Sequence, residues 1–170
     1  MEKGQLVIFI AKYDKIFSII QKIYSDLKIK RNHLAQEPIN MESVESTGYW
    51  LHNLYCAYED LFKLVAQYFE NNISVDGAFH KNLLQTMSLQ INGIRPALIG
   101  DNSVKYLDEL RGFRHVFRHA YLYGLDDARV IFLIHRVLNH QEHLMNDLNV
   151  FKQKLEDSHQ ASELSPDQTQ

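Results

Sequence analysis

LVIFIAKYDKIFSIIQKIYSDL, residues 6–27, decides the fold class. Its apolar positions Leu6, Phe9, Ile10, Tyr13, Ile16, Phe17, Ile20, Ile23, Tyr24 and Leu27 advance by steps of three and four. That step keeps them on one stripe of an α-helix and would scatter them over both faces of a strand. The spacing predicts one long amphipathic helix over about residues 5–32. The leading LVIFIA is six residues long, followed by Lys12 and Asp14 with no small-residue cleavage site. It is too short to span a membrane, lacks the marks of a signal peptide, and reads as a core segment.

The same period continues outward. Pro38 and NMESVESTG (40–48) mark a connection, and Ser43 or Ser46 is placed to cap a second helix to about Glu70. Trp50, Leu51, Leu54, Tyr55, Tyr58, Leu61, Phe62, Leu64, Val65 and Phe69 are its apolar positions. NNISVDG (71–77) reads as a turn. A short helix, AFHKNLLQTMSLQI (78–91), is expected to stop at NGIRP (92–96). Asn102 or Ser103 then caps a helix to about Tyr123, with Gly124 as its stop. Asp126 opens a last helix with Val130, Phe132, Leu133, Val137, Leu144, Leu148, Phe151 and Leu155 apolar. The expectation is an all-α, antiparallel helical bundle of four long helices plus one short helix, in a domain over residues 1–156. Residues 157–170, DSHQASELSPDQTQ, read as an acidic, disordered tail.

Composition agrees. In 170 residues there are only 7 Gly and 3 Pro, few breakers for a sandwich or barrel. The single Cys56 excludes an internal disulfide and suits a reducing cytoplasm, the expected location. A net charge of -3 argues against a general nucleic-acid coat protein. Asp157, Glu163 and Asp167 supply three of the 21 acidic side chains, so the body is balanced, 18 against 18. A local basic strip can therefore still matter.

RGFRHVFRHAY, residues 111–121, is such a strip. At 100° per residue Leu107, Leu110, Phe113, Phe117 and Tyr121 fall on one side of the helix. Arg111, Arg114, His115, Arg118 and His119 form a contiguous arc opposite or beside it, uninterrupted by acidic residues, with Asp108 and Glu109 upstream. Arg forks onto phosphate oxygens and imidazole exchanges protons near neutral pH, so the strip suits a phosphodiester. Arg and His five apart arise by chance about 0.4 times in such a chain, but only about 0.02 times with a Tyr two residues later. A solvated face or interface rim is the competing reading.

Other candidates are weaker. His140 and His143 of HRVLNHQEH (135–143) are one turn apart, but with His135 and Glu142 the run fits a solvated face better than a metal site. His52 and His80 read as core-edge residues with a supporting role open to them. Cys56 reads as a buried thiol, and Tyr49, Trp50, Tyr55 and Tyr58 as core rather than base-stacking platforms.

Arg114, His119 and Tyr121 together spell Arg-x4-His-x-Tyr, and with them the chain resembles the HEPN-type ribonuclease toxins of the HepT kind. LHNLYCAYEDLFKLVA (51–66), FHKNLLQTM (79–87), GIRPALI (93–99) and LDELRGFRHVFRHAY (107–121) resemble successive segments of that family, so the likeness spans about residues 1–150. His115 also fits, because the family accepts a polar residue directly after the Arg; Arg118 departs by adding charge beside His119.

The resemblance implies a helical homodimer with two motifs facing across the two-fold axis. It implies metal-independent cleavage of RNA, tRNA being a candidate substrate, with no cofactor. His119 would be the general acid or base and Arg114 would hold the phosphate, with Arg111, His115 and Arg118 positioning the substrate. Tyr121, or Tyr123 beside it, would receive AMP from a minimal nucleotidyltransferase antitoxin, MntA, which silences the toxin. Geometry makes a dimeric site sensible: five residues place Arg114 and His119 about 140° apart around one helix. A non-catalytic helical module that docks a nucleotidyltransferase is the alternative, ahead of a plain dimerising bundle.

Overall fold

The computed structural model describes residues 3–36, 38–70, 79–120 and 124–163. Their helices are α1 (Lys3–Leu34), α2 (Met41–Phe69), α3 (Phe79–Met87), α4 (Asp101–His119), α5 (Asp127–Asn139) and α6 (Gln141–Glu163). No strand occurs among the described residues, only an isolated bridge between Ile91 and Arg95. The all-α bundle is as expected.

The stripe of residues 6–27 turns inward. Leu6, Phe9, Tyr13, Ile20, Ile23, Tyr24 and Leu27 are buried, with Ile10, Ile16 and Phe17 packed beside them. LVIFIA is only half core, because Val7 and Ile8 lie 63% and 57% exposed on the far side of α1. Helices α1 and α2 form the most extensive pairing. Phe9 stacks on Tyr68 and Tyr24 meets Tyr58, an antiparallel register. Buried tyrosine hydroxyls need partners. Tyr13 donates to the Leu148 carbonyl at 2.9 Å, tying α1 to α6, and the Tyr24 and Tyr58 hydroxyls lie 3.1 Å apart. Burial pushes all three hydroxyls above the ordinary tyrosine range, so they stay neutral.

Local chemistry moves several boundaries. Asn40, not Ser43 or Ser46, caps α2, its side chain accepting the Glu42 N–H at 2.9 Å. Helix α3 ends at Met87, ahead of NGIRP, where Gly93 turns the chain at φ 75°. The expected last helix is two, α5 and α6, broken at His140; its N–H bonds the Arg136 carbonyl and its ring lies 3.3 Å from that of Tyr106. No Gly or Pro announces that break. Helix α6 runs through Glu163, past Glu156, so the first half of the expected tail is helix; residues 164–170, the other half, lie outside the described residues.

Two polar anchors seat α4. Its N-cap is Gly100, not Asn102 or Ser103, and has no side chain to cap with. Asp147 of α6 serves instead, accepting the Gly100 N–H at 3.0 Å and the Ser103 hydroxyl. Ser103 is fully buried. Asp147→Ala leaves both donors without their acceptor, so unfolding free energy should fall by about 2–3 kcal/mol, read from urea denaturation. Adding Ser103→Ala to that variant should cost less than it does alone, because the hydroxyl is already stranded.

The second anchor is Arg95, whose side chain is fully buried in the connection between α3 and α4. Nε and Nη2 donate to Glu70 at 2.9 and 2.7 Å, Nη2 also to the Thr86 carbonyl, and Nη1 to those of Leu89 and Pro96. Every guanidinium nitrogen has an acceptor.

Candidate active site

Helix α4 carries the cationic strip along the face that begins at its seam with α2. Leu107, Leu110 and Phe113 are buried, while Arg111 and Arg114 are half-buried and His115, Arg118 and His119 exposed. The arc is not free of acid. Asp108 lies on it and holds Arg111 at 2.8 Å, so one of the three arginines is already paired. His115 and His119, one turn apart, set their rings edge to face with centroids 5.0 Å apart. Arg114 and His119 diverge around α4, and no hydrogen bond or ring contact joins them among the described residues. The helix ends at His119, and Gly124 returns at φ 74° with its N–H on the Ala120 carbonyl, the left-handed stop the sequence suggested. Tyr121 and Tyr123 lie outside the described residues, as does the side chain of His80.

The other wall comes from α2. An added Cβ at Gly48 would lie 2.6 Å from Leu125 and 3.4 Å from Phe117, so a glycine here lets the end of α4 and the chain after it approach α2 closely. One turn on, the His52 ring stacks on Phe117 with centroids 4.9 Å apart and planes 20° from parallel. His52 Nε2 is 3.6 Å from Cys56 Sγ, and the thiol is half-buried rather than sealed in the core. Burial, then Arg114 and Arg118, hold His52 below its ordinary value near 6.5, with Glu59 pulling the other way. Burial and Glu59 push Tyr55 up against the opposing pull of Arg111 and Arg114. Glu59 is 3% exposed and pairs with Lys63 at 2.7 Å.

The inner edge of the strip is therefore within electrostatic reach of His52 and Tyr55, both of which also feel Glu59, a grouping the sequence reading missed. The signal available was Glu59, an acid inside the apolar run from Tyr55 to Phe62.

Burial and Arg136 likewise lower His140. A histidine depressed in the folded chain contributes stability fully present above its unfolded value and lost as pH falls through the folded one. Stability should thus be lower at pH about 5.5 than at about 7.5. Urea midpoints at the two values should show the drop, and His52→Asn should shrink it.

The remaining candidates are placed as follows. His135, Glu142 and His143 are exposed, and among the described residues no three or more His, Cys, Asp or Glu side chains group as metal ligands would. Tyr55 and Tyr58 are core, as expected, but Trp50 is half-buried and Tyr49 is 52% exposed on the outer side of α2. Phe132 of α5, expected to face inward, is 59% exposed, and Arg136 lies 5.7 Å above its ring. No described helix is long and apolar enough to cross a membrane.

No curated protein and no solved structure matches the chain. A family model described as HepT-like protein matches residues 46–155, from within α2 to the body of α6 and across the whole cationic strip. That span is well over half of the chain, which belongs to the HepT-like family, a family of HEPN type whose members are typically nucleases.

Proposed function

We propose that the protein is a metal-independent endoribonuclease toxin acting as a homodimer, with tRNA among its candidate substrates. A minimal nucleotidyltransferase antitoxin neutralises it by transferring AMP to Tyr121. The supporting observation is the divergence of Arg114 and His119 on α4, one against α2 and the other exposed. Two such helices related by a two-fold axis bring the Arg of one copy beside the His of the other.

In that composite site His119 takes the proton of a ribose 2′-OH, whose oxygen attacks the adjacent phosphorus. Arg114 donates to the non-bridging oxygens and stabilises the charge of the five-coordinate state. The bond to the 5′ oxygen breaks, that oxygen gains a proton, and a 2′,3′-cyclic phosphate remains. Arg118 and His115 lie on the open part of the strip, where they steer RNA; Arg111, held by Asp108, contributes a weaker field. AMP on Tyr121 adds a negative phosphodiester and bulk beside the motif.

The expected result is cleavage of RNA in EDTA with cyclic-phosphate ends, and none of the same strand carrying 2′-deoxyribose at the cleaved position. Equal cleavage of both strands overturns the mechanism. No cleavage of either by an unmodified, dimeric chain favours the module that docks a nucleotidyltransferase.

A further inference from the structure

Among the described residues two aromatic side chains are more than half exposed, Tyr49 of α2 and Phe132 of α5. Both helices pack against α4, and their contacts set the register. On one flank Gly48 gives Phe117 room and His52 stacks on it. Tyr49 lies between those two in sequence and about 60° around α2 from His52, so it stands level with the end of α4. On the other flank His140 stacks on Tyr106 and Arg136 donates to Glu109. One turn further back along α5, Phe132 comes level with about residue 113. At 100° per residue Arg118, Arg111, His115 and His119 follow in that order around the open side of α4, from its edge with α2 toward its edge with α5. The two exposed rings thus bracket the cationic strip. Each is steadied on its own helix: Trp50 meets Tyr49 edge to face with centroids 5.9 Å apart, and Arg136 lies 5.7 Å from the centre of Phe132.

We propose that Tyr49 and Phe132 are base-stacking platforms that make the strip a site for unpaired RNA, with one base held on each flank of α4 and the backbone crossing between them. Cations that follow phosphates, flanked by rings that stack on free bases, are the two parts a single strand needs. Among the described residues only Arg111 of the strip is held in an ion pair, by Asp108, which leaves Arg118, His115 and His119 for phosphate. A duplex hides its base faces and offers mainly its backbone, so it would meet the strip without using the rings. RNA as the ligand rests on the ribonuclease reading; the platforms add that cleavage falls in loops and unpaired ends, not in stems.

The probe is a fluorescein-labelled 2′-O-methyl RNA of about twelve nucleotides, mixed in sequence and resistant to cleavage, either single or paired with its complement. With the full-length chain, Tyr49→Ala and Phe132→Ala should each weaken single-strand binding about tenfold, and together about a hundredfold. Duplex binding should not change. Tyr49→Phe and Phe132→Trp, which keep a ring, should bind like the wild type. The salt dependence of binding should stay as steep in both Ala variants and flatten in Arg118→Ala, which removes a phosphate contact. Single-strand affinity that survives both Ala substitutions overturns the proposal, as does an equal loss on the duplex. So does a loss of dimer mass in either variant, because the rings would then cover a subunit interface. A wild type that binds through the rings but leaves ordinary RNA intact keeps the platforms and refutes the ribonuclease reading; one that binds neither strand refutes both.

Discussion

Arg114→Ala and His119→Ala should each reduce RNA cleavage by about 10²–10⁴-fold while leaving the fold intact. The two losses should differ in kind. Arg114 supplies a fixed positive fork, so Arg114→Lys, which keeps the charge but not the planar pair of donors, should remain well below wild type. His119 supplies proton transfer, so His119→Ala should flatten the pH–rate profile as well as lower it. Neither variant should unfold the chain. His119 is exposed, and Arg114 has no hydrogen bond at Nε to lose. Matching thermal transitions, measured beside the rates, are therefore part of the expected result. An Ala variant of either residue that cleaves at the wild-type rate removes it from the chemistry.

Arg95→Ala should produce the largest loss of stability at a single position, about 3–5 kcal/mol. The substitution strands the Glu70 carboxylate and the carbonyls of Thr86, Leu89 and Pro96, all of which lean on one fully buried guanidinium. Glu70→Gln should cost only about 1 kcal/mol, because its amide oxygen still accepts and the three carbonyls still hold the guanidinium. Chemical denaturation of both variants checks the order. If Glu70→Gln proves the costlier, the ion pair rather than the carbonyl cradle holds the connection. The cradle bears on function because it fixes the chain that leads into α4, whose far end carries the motif.

These two arginines show what the sequence reveals and what it hides. The three-and-four spacing of residues 6–27 fixes a helix because burial of one stripe dominates its energetics, and the same logic finds α2, α4 and the α5–α6 stretch. The Arg-x4-His-x-Tyr spacing likewise puts the strip on one helix. Partners across the fold are another matter. Asp147 capping α4 lies 47 residues from Gly100, and Arg95 reaches Glu70 over 25. No local pattern encodes such pairs. His52 looked like a core-edge residue because its stacking partner, Phe117, belongs to another helix. The break at His140 was invisible for the same reason: Tyr106, the ring it stacks on, lies on α4. Val7, Ile8, Tyr49 and Phe132 are exposed although apolar, since composition alone does not say which side of a helix is covered.

If Arg114 of one copy works with His119 of the other, two inactive variants should complement each other when mixed. Arg114→Ala and His119→Ala chains, unfolded and refolded together, should form heterodimers in which one of the two composite sites carries both an intact arginine and an intact histidine. With random pairing about a quarter of all sites are whole, so the mixture should regain about a quarter of wild-type activity, although each variant alone is inactive. A mixture that contains heterodimers by mass and stays inactive would contradict a site built across two chains.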